Sequence, residues 1–305
     1  MEDQACETLA TEVILLGFSR NFKINLALFF FFLAIYIVTI SGNGFMVFAI
    51  IFSTHLHTPM YFFLCNLAII DFFYSSSTLP KLLVDLLSMN GRTSLTACGV
   101  QVFVGLFLGS TESLLLVLMA YDRYAAICRP LYYPVLMRWS ICYRLIVLVW
   151  ISSFMTTVVP SLLMPMRVCN PNQINHIACE VIVVIKLSCD STHQSEVVTF
   201  SLSFFSLLFP FVFILLSYTF IISSVLKIRS SGRSKAFSTC SSHLTVVVLF
   251  YGTAMVMYFG PASRYTSNQT KYISVFYGIM IPMLNPLIYS LKNKEVTKIF
   301  LTVNK

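Results

Sequence analysis

The sequence predicts an all-α membrane protein, a single seven-transmembrane helix bundle with an extracellular amino terminus and a short cytoplasmic amphipathic tail helix. Three observations predict it. At 57% apolar and 10% charged residues in 305, the chain has too little polar surface to face water as a globular protein. It supplies seven apolar runs of about the 20 residues a helix needs to cross a bilayer. Lys and Arg gather in alternate connecting segments, the asymmetry that sets membrane orientation.

The spans follow in order. Residues 1–23 hold acidic side chains and no apolar core of their own, so no signal peptide is expected and the first helix acts as its own insertion signal. The first span, 24–52, is free of charge. The second, 60–88, carries Asp71 within its apolar part, and the third, 98–128, carries Glu112 and ends on Asp122-Arg123-Tyr124. The fourth is 142–166, the fifth 196–226, the sixth 236–262 with His243 in its inner half, and the seventh 270–290, followed by the tail at 291–305. Run length and Phe and Leu content suit helices; barrel strands would alternate over about ten residues.

Orientation is decided by the later loops. The first pair of flanks points the wrong way, with Arg20 and Lys23 before the first span and only His55 and His57 after it. Arg129, Arg138 and Arg144 follow the third span, Lys227, Arg229, Arg233 and Lys235 the fifth, and Lys292, Lys294, Lys298 and Lys305 the seventh. The positive-inside rule makes that side cytoplasmic. The inner face then holds twelve of the twenty Lys and Arg against Asp122 and Glu295. Such a rim suits anionic lipid and acidic cytoplasmic partners, although fixing topology would be reason enough for it. No nucleic-acid partner is expected.

Four of nine cysteines fall on the outer side: Cys98 at the start of the third span, and Cys169, Cys179 and Cys189 in the longest outer loop. That compartment oxidises thiols, and four cysteines allow three pairings that spacing leaves open. Cys65, Cys128, Cys142 and Cys240 lie in or below the membrane, and Cys6 is left over. A zinc site is disfavoured because close ligand pairs are missing and His176 and His193 sit unremarkably in the loop. Asn268-Gln269-Thr270 is a glycosylation acceptor between the sixth and seventh spans, in a segment short enough to argue against its use.

Ionisable groups inside a membrane cost about 3 kcal/mol or more and are functional candidates by default. Asp71 and Glu112 lie midway along their spans and could share a sodium ion or a proton. The alternative is protonated carboxyls bonded to Asn43, Ser113 or Asn285. Arg123 can pair with Asp122 in one state and reach other partners in another, as a switch requires; capping the inner membrane edge is its plainer role. Pro286, between Asn285 and Tyr289, removes a backbone donor and kinks the seventh span. His243 is either a packed, hydrogen-bonded histidine or a proton-sensitive contact.

The order and spacing of these motifs resemble the rhodopsin-like G-protein-coupled receptors and, within them, the odorant receptors, nearly end to end. The residues that carry the resemblance are Leu56-His57-Thr58-Pro59-Met60-Tyr61-Phe62-Phe63 and Met119-Ala120-Tyr121-Asp122-Arg123-Tyr124. With them stand Ser217-Tyr218, Lys235-Ala236-Phe237-Ser238-Thr239-Cys240-Ser241-Ser242-His243-Leu244 and Pro282-Met283-Leu284-Asn285-Pro286-Leu287-Ile288-Tyr289-Ser290. Thr58 after His57 looks like the larger, land-vertebrate subgroup. The resemblance implies bridges Cys98–Cys179 and Cys169–Cys189, an inner switch of Arg123, Tyr218 and His243, and a cation site flanked by Asp71 and Glu112. It also implies a small-molecule odorant as ligand, a stimulatory G protein as partner, cyclic AMP as output and a plasma-membrane location. No cofactor is required beyond the sodium ion that the carboxylates could hold. The chain departs from the family in lacking an Asn-x-Ser/Thr in its amino-terminal tail.

Family geometry places a pocket between the third, fifth, sixth and seventh helices. The corresponding positions are Gly105, Leu106, Gly109 and Ser110; Leu202, Ser203 and Ser206; Tyr251, Ala254, Met255 and Tyr258; and Val275 and Gly278. The first four share a helix face, and their glycines leave room for a ligand or for close helix packing. Such a pocket favours small, neutral, partly hydrophobic molecules. Glu180 in the outer loop is the nearest carboxylate, read here as a solvated loop charge. A non-odorant ligand for the same fold is the nearest alternative. A transporter is disfavoured by the odd span count and the missing internal repeat, and an enzyme by the lack of Gly-x-Ser or His-Glu-x-x-His motifs.

Overall fold

The computed structural model describes residues 10–163, 168–170, 172–189, 192–227, 230–260 and 268–291. Seven helices in it are long and apolar enough to cross a membrane. They are α1 (Phe22–Phe52), α2 (Pro59–Ser88), α3 (Leu95–Cys128) and α4 (Trp139–Leu163), then α5, which joins Thr192–Ser203 to Phe209–Leu226. Next come α6 (Ser230–Tyr258) and α7, which joins Asn268–Val275 to Ile281–Leu291. The expected tail helix at 291–305 lies, beyond Leu291, outside the described residues.

Local chemistry starts these helices where they start. The Asn21 side chain accepts from the Lys23 backbone N–H at 2.9 Å to cap α1, and Ser94 Oγ accepts from the Ala97 N–H at 3.2 Å to cap α3. Pro59 opens α2, where a missing N–H costs nothing. Two boundaries differ from expectation. The helix α6 begins at Ser230, well before 236, because its first turns run on into the basic loop where hydropathy carries no signal. It ends at Tyr258 rather than 262, just ahead of Gly260 and Pro261, and Pro disfavours helical backbone in the residue before it.

Two π-helical turns interrupt the bundle, Phe204–Leu208 in α5 and Phe276–Met280 in α7. Neither was visible as a pattern in the sequence. Each inserts an extra residue into the helix and so rotates everything beyond it.

Burial sorts the helices. Half of the most apolar window is buried in α2, α6 and α7, against 22% in α1. The inner helices therefore hold the polar groups, while Phe30, Phe31, Phe73, Leu148 and Phe205 point outward. In lipid such outward rings need no cover, and the helices associate by close packing and hydrogen bonds. Leu115, Leu116, Met119, Ile214, Phe250 and Tyr251 fill the centre.

Residues 10–21, ahead of α1, include a paired strand. Strand β1 (Glu12–Leu15) pairs antiparallel with β2 (Arg92–Ser94) and parallel with β3 (Gln173–Ile174), matching Val13 to Thr93 and Ile14 to Gln173. Gly91 is required beside it, since a Cβ there would lie 1.9 Å from the Leu15 carbonyl oxygen. The Lys271 ammonium on α7 donates to the Gly17 carbonyl and, at 2.7 Å, to Asn175 Oδ1, which pins strand, loop and helix together. Disulfides Cys98–Cys179 and Cys169–Cys189 hold the same face.

Candidate ligand cavity and inner switch

Beneath the loop at 177–181 lies a small cavity of about 30 Å³. Cys179, tied by its disulfide to the head of α3, carries Glu180 to the cavity wall. The helices α2, α3, α6 and α7 complete it.

The expected pocket residues divide. Gly105, Leu106, Tyr258 and Gly278 line this cavity. Gly109, Ser110, Leu202, Ser203, Ser206, Tyr251, Ala254, Met255 and Val275 do not. The two α3 glycines explain part of the division: a Cβ on Gly105 would meet nothing within 4 Å, whereas one on Gly109 would sit 2.7 Å from the Tyr277 hydroxyl. Gly109 thus serves helix packing, and Gly105 borders open space. Gly278 does both, with the Tyr74 ring 3.3 Å from where its Cβ would be.

Tyr251 and Ala254 are buried one layer deeper. The Tyr251 hydroxyl donates to the Ser113 carbonyl at 2.9 Å and also lies 2.9 Å from Ser113 Oγ. Ser113 Oγ in turn donates to the Ser206 carbonyl at 2.6 Å, a carbonyl inside the π turn of α5. The Ser203 hydroxyl is spent on its own helix, donating to the Thr199 carbonyl at 2.8 Å.

Several lining residues were not anticipated. Tyr74 and Thr78 come from α2, which the expected pocket left out, and Ser274 from α7. Gln101 lies one turn before Gly105, so helical spacing could have found it. Its Oε1 accepts from the Cys179 N–H at 2.8 Å and fixes the loop over the cavity. Glu180 is a correction: it is half-buried, lines the cavity, and accepts a hydrogen bond from the Ser274 hydroxyl. The bridge and the Gln101 contact turn it inward, which no local pattern announces.

Below the cavity, Asp71 and Glu112 are both buried. Of the three partners considered for them, Asn285 bonds a carboxylate, its Nδ2 donating to Asp71 at 3.0 and 3.2 Å. Asn43 instead donates to the Thr39 and Pro282 carbonyls at 3.0 Å, and Ser113 is occupied as described. Glu112 Oε1 and Asn285 Oδ1 are buried with no hydrogen-bond partner among the described residues. Two orphaned oxygens beside a second carboxylate are what a small hard cation would satisfy.

At the inner end, Asp122 Oδ1 accepts from the Tyr133 hydroxyl at 2.8 Å, while the Arg123 Nε lies 3.9 Å from Oδ2. Burial, with the Asp122 charge beside it, pushes the Tyr133 hydroxyl above its ordinary range, so it stays a donor. Tyr133 was not anticipated as a partner. Arg123 Nε, although paired in charge with Asp122, and the Tyr289 hydroxyl are buried without a hydrogen-bond partner among the described residues. The Tyr124 ring packs edge-on against Phe220 of α5. His243 Nε2 lies 3.1 Å from the Leu116 carbonyl, which can only accept, so Nε2 bears the hydrogen and Nδ1 accepts from Tyr218 at 2.8 Å. Pro286 packs against α1 where Gly42 leaves space, 3.2 Å from a Cβ there. Asn268 opens α7, exposed, its Oδ1 accepting from Asn175 Nδ2 at 3.2 Å.

Comparison with known proteins matches this arrangement. The profile described as olfactory receptor fits residues 32–304. Olfactory receptor 2A5 of Homo sapiens is 46% identical over 95% of this chain and 94% of its own length. Olfactory receptor 2B6 of Mus musculus is 47% identical over 97% and 95%. Among solved structures, squid rhodopsin superposes with a TM-score of 0.72 at 21% identity, covering 92% of this chain and 85% of that one. At that identity it speaks for the fold.

Proposed function

The chain belongs to the olfactory receptor family, seven-span G-protein-coupled receptors rather than enzymes, and from that premise we propose how its own residues receive an odorant and signal. The observation that carries the proposal is the run of α6 from cavity to inner end. This one helix places Tyr258 at the cavity wall, Tyr251 on Ser113, and His243 on Leu116 and Tyr218.

A ligand in the cavity touches α6 at Tyr258, and a rigid helix carries any tilt to the hydrogen bonds further down. Binding shifts the balance only if the ligand prefers one arrangement of α6 over the other. Release of the His243 contacts moves the inner end of α6 outward and exposes Arg123 to a stimulatory G protein, whose activation raises cyclic AMP. The amino terminus and disulfide-bonded face lie outside the cell, and the Arg123 end with its basic loops faces the cytoplasm and its anionic lipid.

The buried Asp71, Glu112 and Asn285 would hold a sodium ion, whose charge would offset that of the two carboxylates. Here the chain's own contribution is positional: Asn285 donates to Asp71 and ties α7 to α2 next to the Pro286 kink.

Cells expressing tagged receptor at a verified surface level, challenged with a broad panel of volatile molecules, test the reading. A saturable cyclic AMP response that disappears in Arg123→Ala at equal surface level is expected. Retained signalling in that variant would remove Arg123 from the switch.

A further inference from the structure

We propose that Glu180 selects the ligand's head group: the cavity takes small molecules that present an N–H or O–H donor to this carboxylate, alcohols and amines in preference to ketones, ethers or carboxylic acids. This rests on the receptor reading above and names the ligand class of the same site.

A carboxylate accepts hydrogen bonds and offers none. Glu180 is held in the cavity wall by the Cys98–Cys179 bridge and by Gln101 on the Cys179 N–H. The Ser274 hydroxyl spends its hydrogen on one oxygen, Oε1. Ion pairs among the described residues are Lys81–Asp85, Arg92–Glu12 and Arg123–Asp122, so no cation there answers Glu180. Lys271, one turn before Ser274 on α7, is committed to Gly17 and Asn175. The carboxylate therefore retains accepting capacity toward the cavity.

The other polar groups sharpen the choice. Gln101 uses its Oε1 on Cys179 and points Nε2 toward the Ser77 carbonyl at 3.3 Å. Tyr258 brings a hydroxyl to the same wall. An alcohol meets both demands, donating to Glu180 and accepting from Tyr258. A ketone or ether meets only the second and displaces water from Glu180 without offering a donor, which leaves the carboxylate with the Ser274 hydroxyl alone, and a carboxylate ligand adds like-charge repulsion. Gly105, Val102 and Leu106 face the hydrocarbon part; at about 30 Å³ the cavity as it stands has room for one or two waters, so a ring enters only as the walls give way, toward the open space beside Gly105, and the ligand must be small.

One ring with five head groups tests the proposal: cyclohexanol, cyclohexylamine, cyclohexanone, methoxycyclohexane and cyclohexanecarboxylate. Binding is read as thermal stabilisation of the full-length receptor in nanodiscs, and signalling as cyclic AMP in cells. In the wild type, cyclohexanol and cyclohexylamine are expected to bind about tenfold or more tightly than cyclohexanone, the worth of one charge-assisted hydrogen bond. Glu180→Gln supplies an N–H and is expected to bring cyclohexanone level with cyclohexanol, which a merely structural role would not do; Glu180→Asp keeps the wild-type order. The amine and alcohol arms separate a charged donor from a neutral one.

Equal binding of cyclohexanol and cyclohexanone by the wild type, preference for the acid, or an unchanged order in Glu180→Gln overturns the inference. Absence of binding by both donors overturns it too. Donor-selective binding without cyclic AMP supports it and removes the stimulatory coupling instead, so the two readings fail separately.

Discussion

The Tyr218 hydroxyl lies 2.8 Å from Nδ1 of His243, whose opposite nitrogen reaches the Leu116 carbonyl at 3.1 Å. One buried imidazole thus joins α3, α5 and α6. Replacing it by an apolar ring of similar size, His243→Phe, takes the side-chain donor from the Leu116 carbonyl and leaves the Tyr218 hydroxyl only the Cys240 carbonyl at 3.3 Å, an expected loss of about 1–3 kcal/mol. Basal cyclic AMP should rise and thermal stability should fall. A drop in basal signal at equal surface level would mean that these bonds belong to the signalling arrangement.

Sodium should stabilise the wild type. Exchanging sodium chloride for choline chloride at equal ionic strength removes the small cation without altering screening, and the melting temperature is expected to drop. Glu112→Gln should melt at the same temperature in both salts. A wild-type protein indifferent to the exchange would show that Asp71 and Glu112 are held by protons and Asn285 alone.

The two α3 glycines should behave oppositely. Gly109→Ala drives a methyl group into the Tyr277 hydroxyl and is expected to cost about 1–3 kcal/mol of stability by overpacking. Gly105→Ala meets nothing within 4 Å, so stability should hold while ligand potency falls as the methyl group takes cavity space. Denaturation curves paired with dose–response curves for the two variants check both halves.

Both disulfides constrain the unfolded chain, but unequally. Cys98–Cys179 spans 81 residues and Cys169–Cys189 spans 20. Loop-closure entropy predicts that breaking the long one with Cys98→Ser and Cys179→Ser costs about 1 kcal/mol more than breaking the short one with Cys169→Ser and Cys189→Ser. It also frees Glu180 from its position. The long-loop double variant should therefore lose head-group selectivity along with stability, and the short-loop one should lose mainly stability.

Much of this protein was legible in its residues. Hydropathy is a local property, so seven apolar runs marked seven helices to within a few residues. The exceptions lie where a helix leaves the membrane, as α6 does at Ser230. The family resemblance grouped Arg123, Tyr218 and His243, because each motif reports its own helix and depth, and Tyr218 does meet His243. Strand β1 was missed because its register comes from partners far along the chain, at Arg92–Ser94 and Gln173–Ile174.

The sequence by itself determined which residues are buried in lipid, which loops carry charge and which helices hold ionisable groups. Only the tertiary structure decided which polar groups meet: that Asn285 rather than Asn43 or Ser113 bonds Asp71, that Gly109 packs while Gly105 opens, and that Glu180 turns inward. Helix azimuth decides such encounters. It depends on cross-links such as Cys98–Cys179 and on the π turns at Phe204–Leu208 and Phe276–Met280, where one inserted residue rotates every later side chain by about a quarter turn or more.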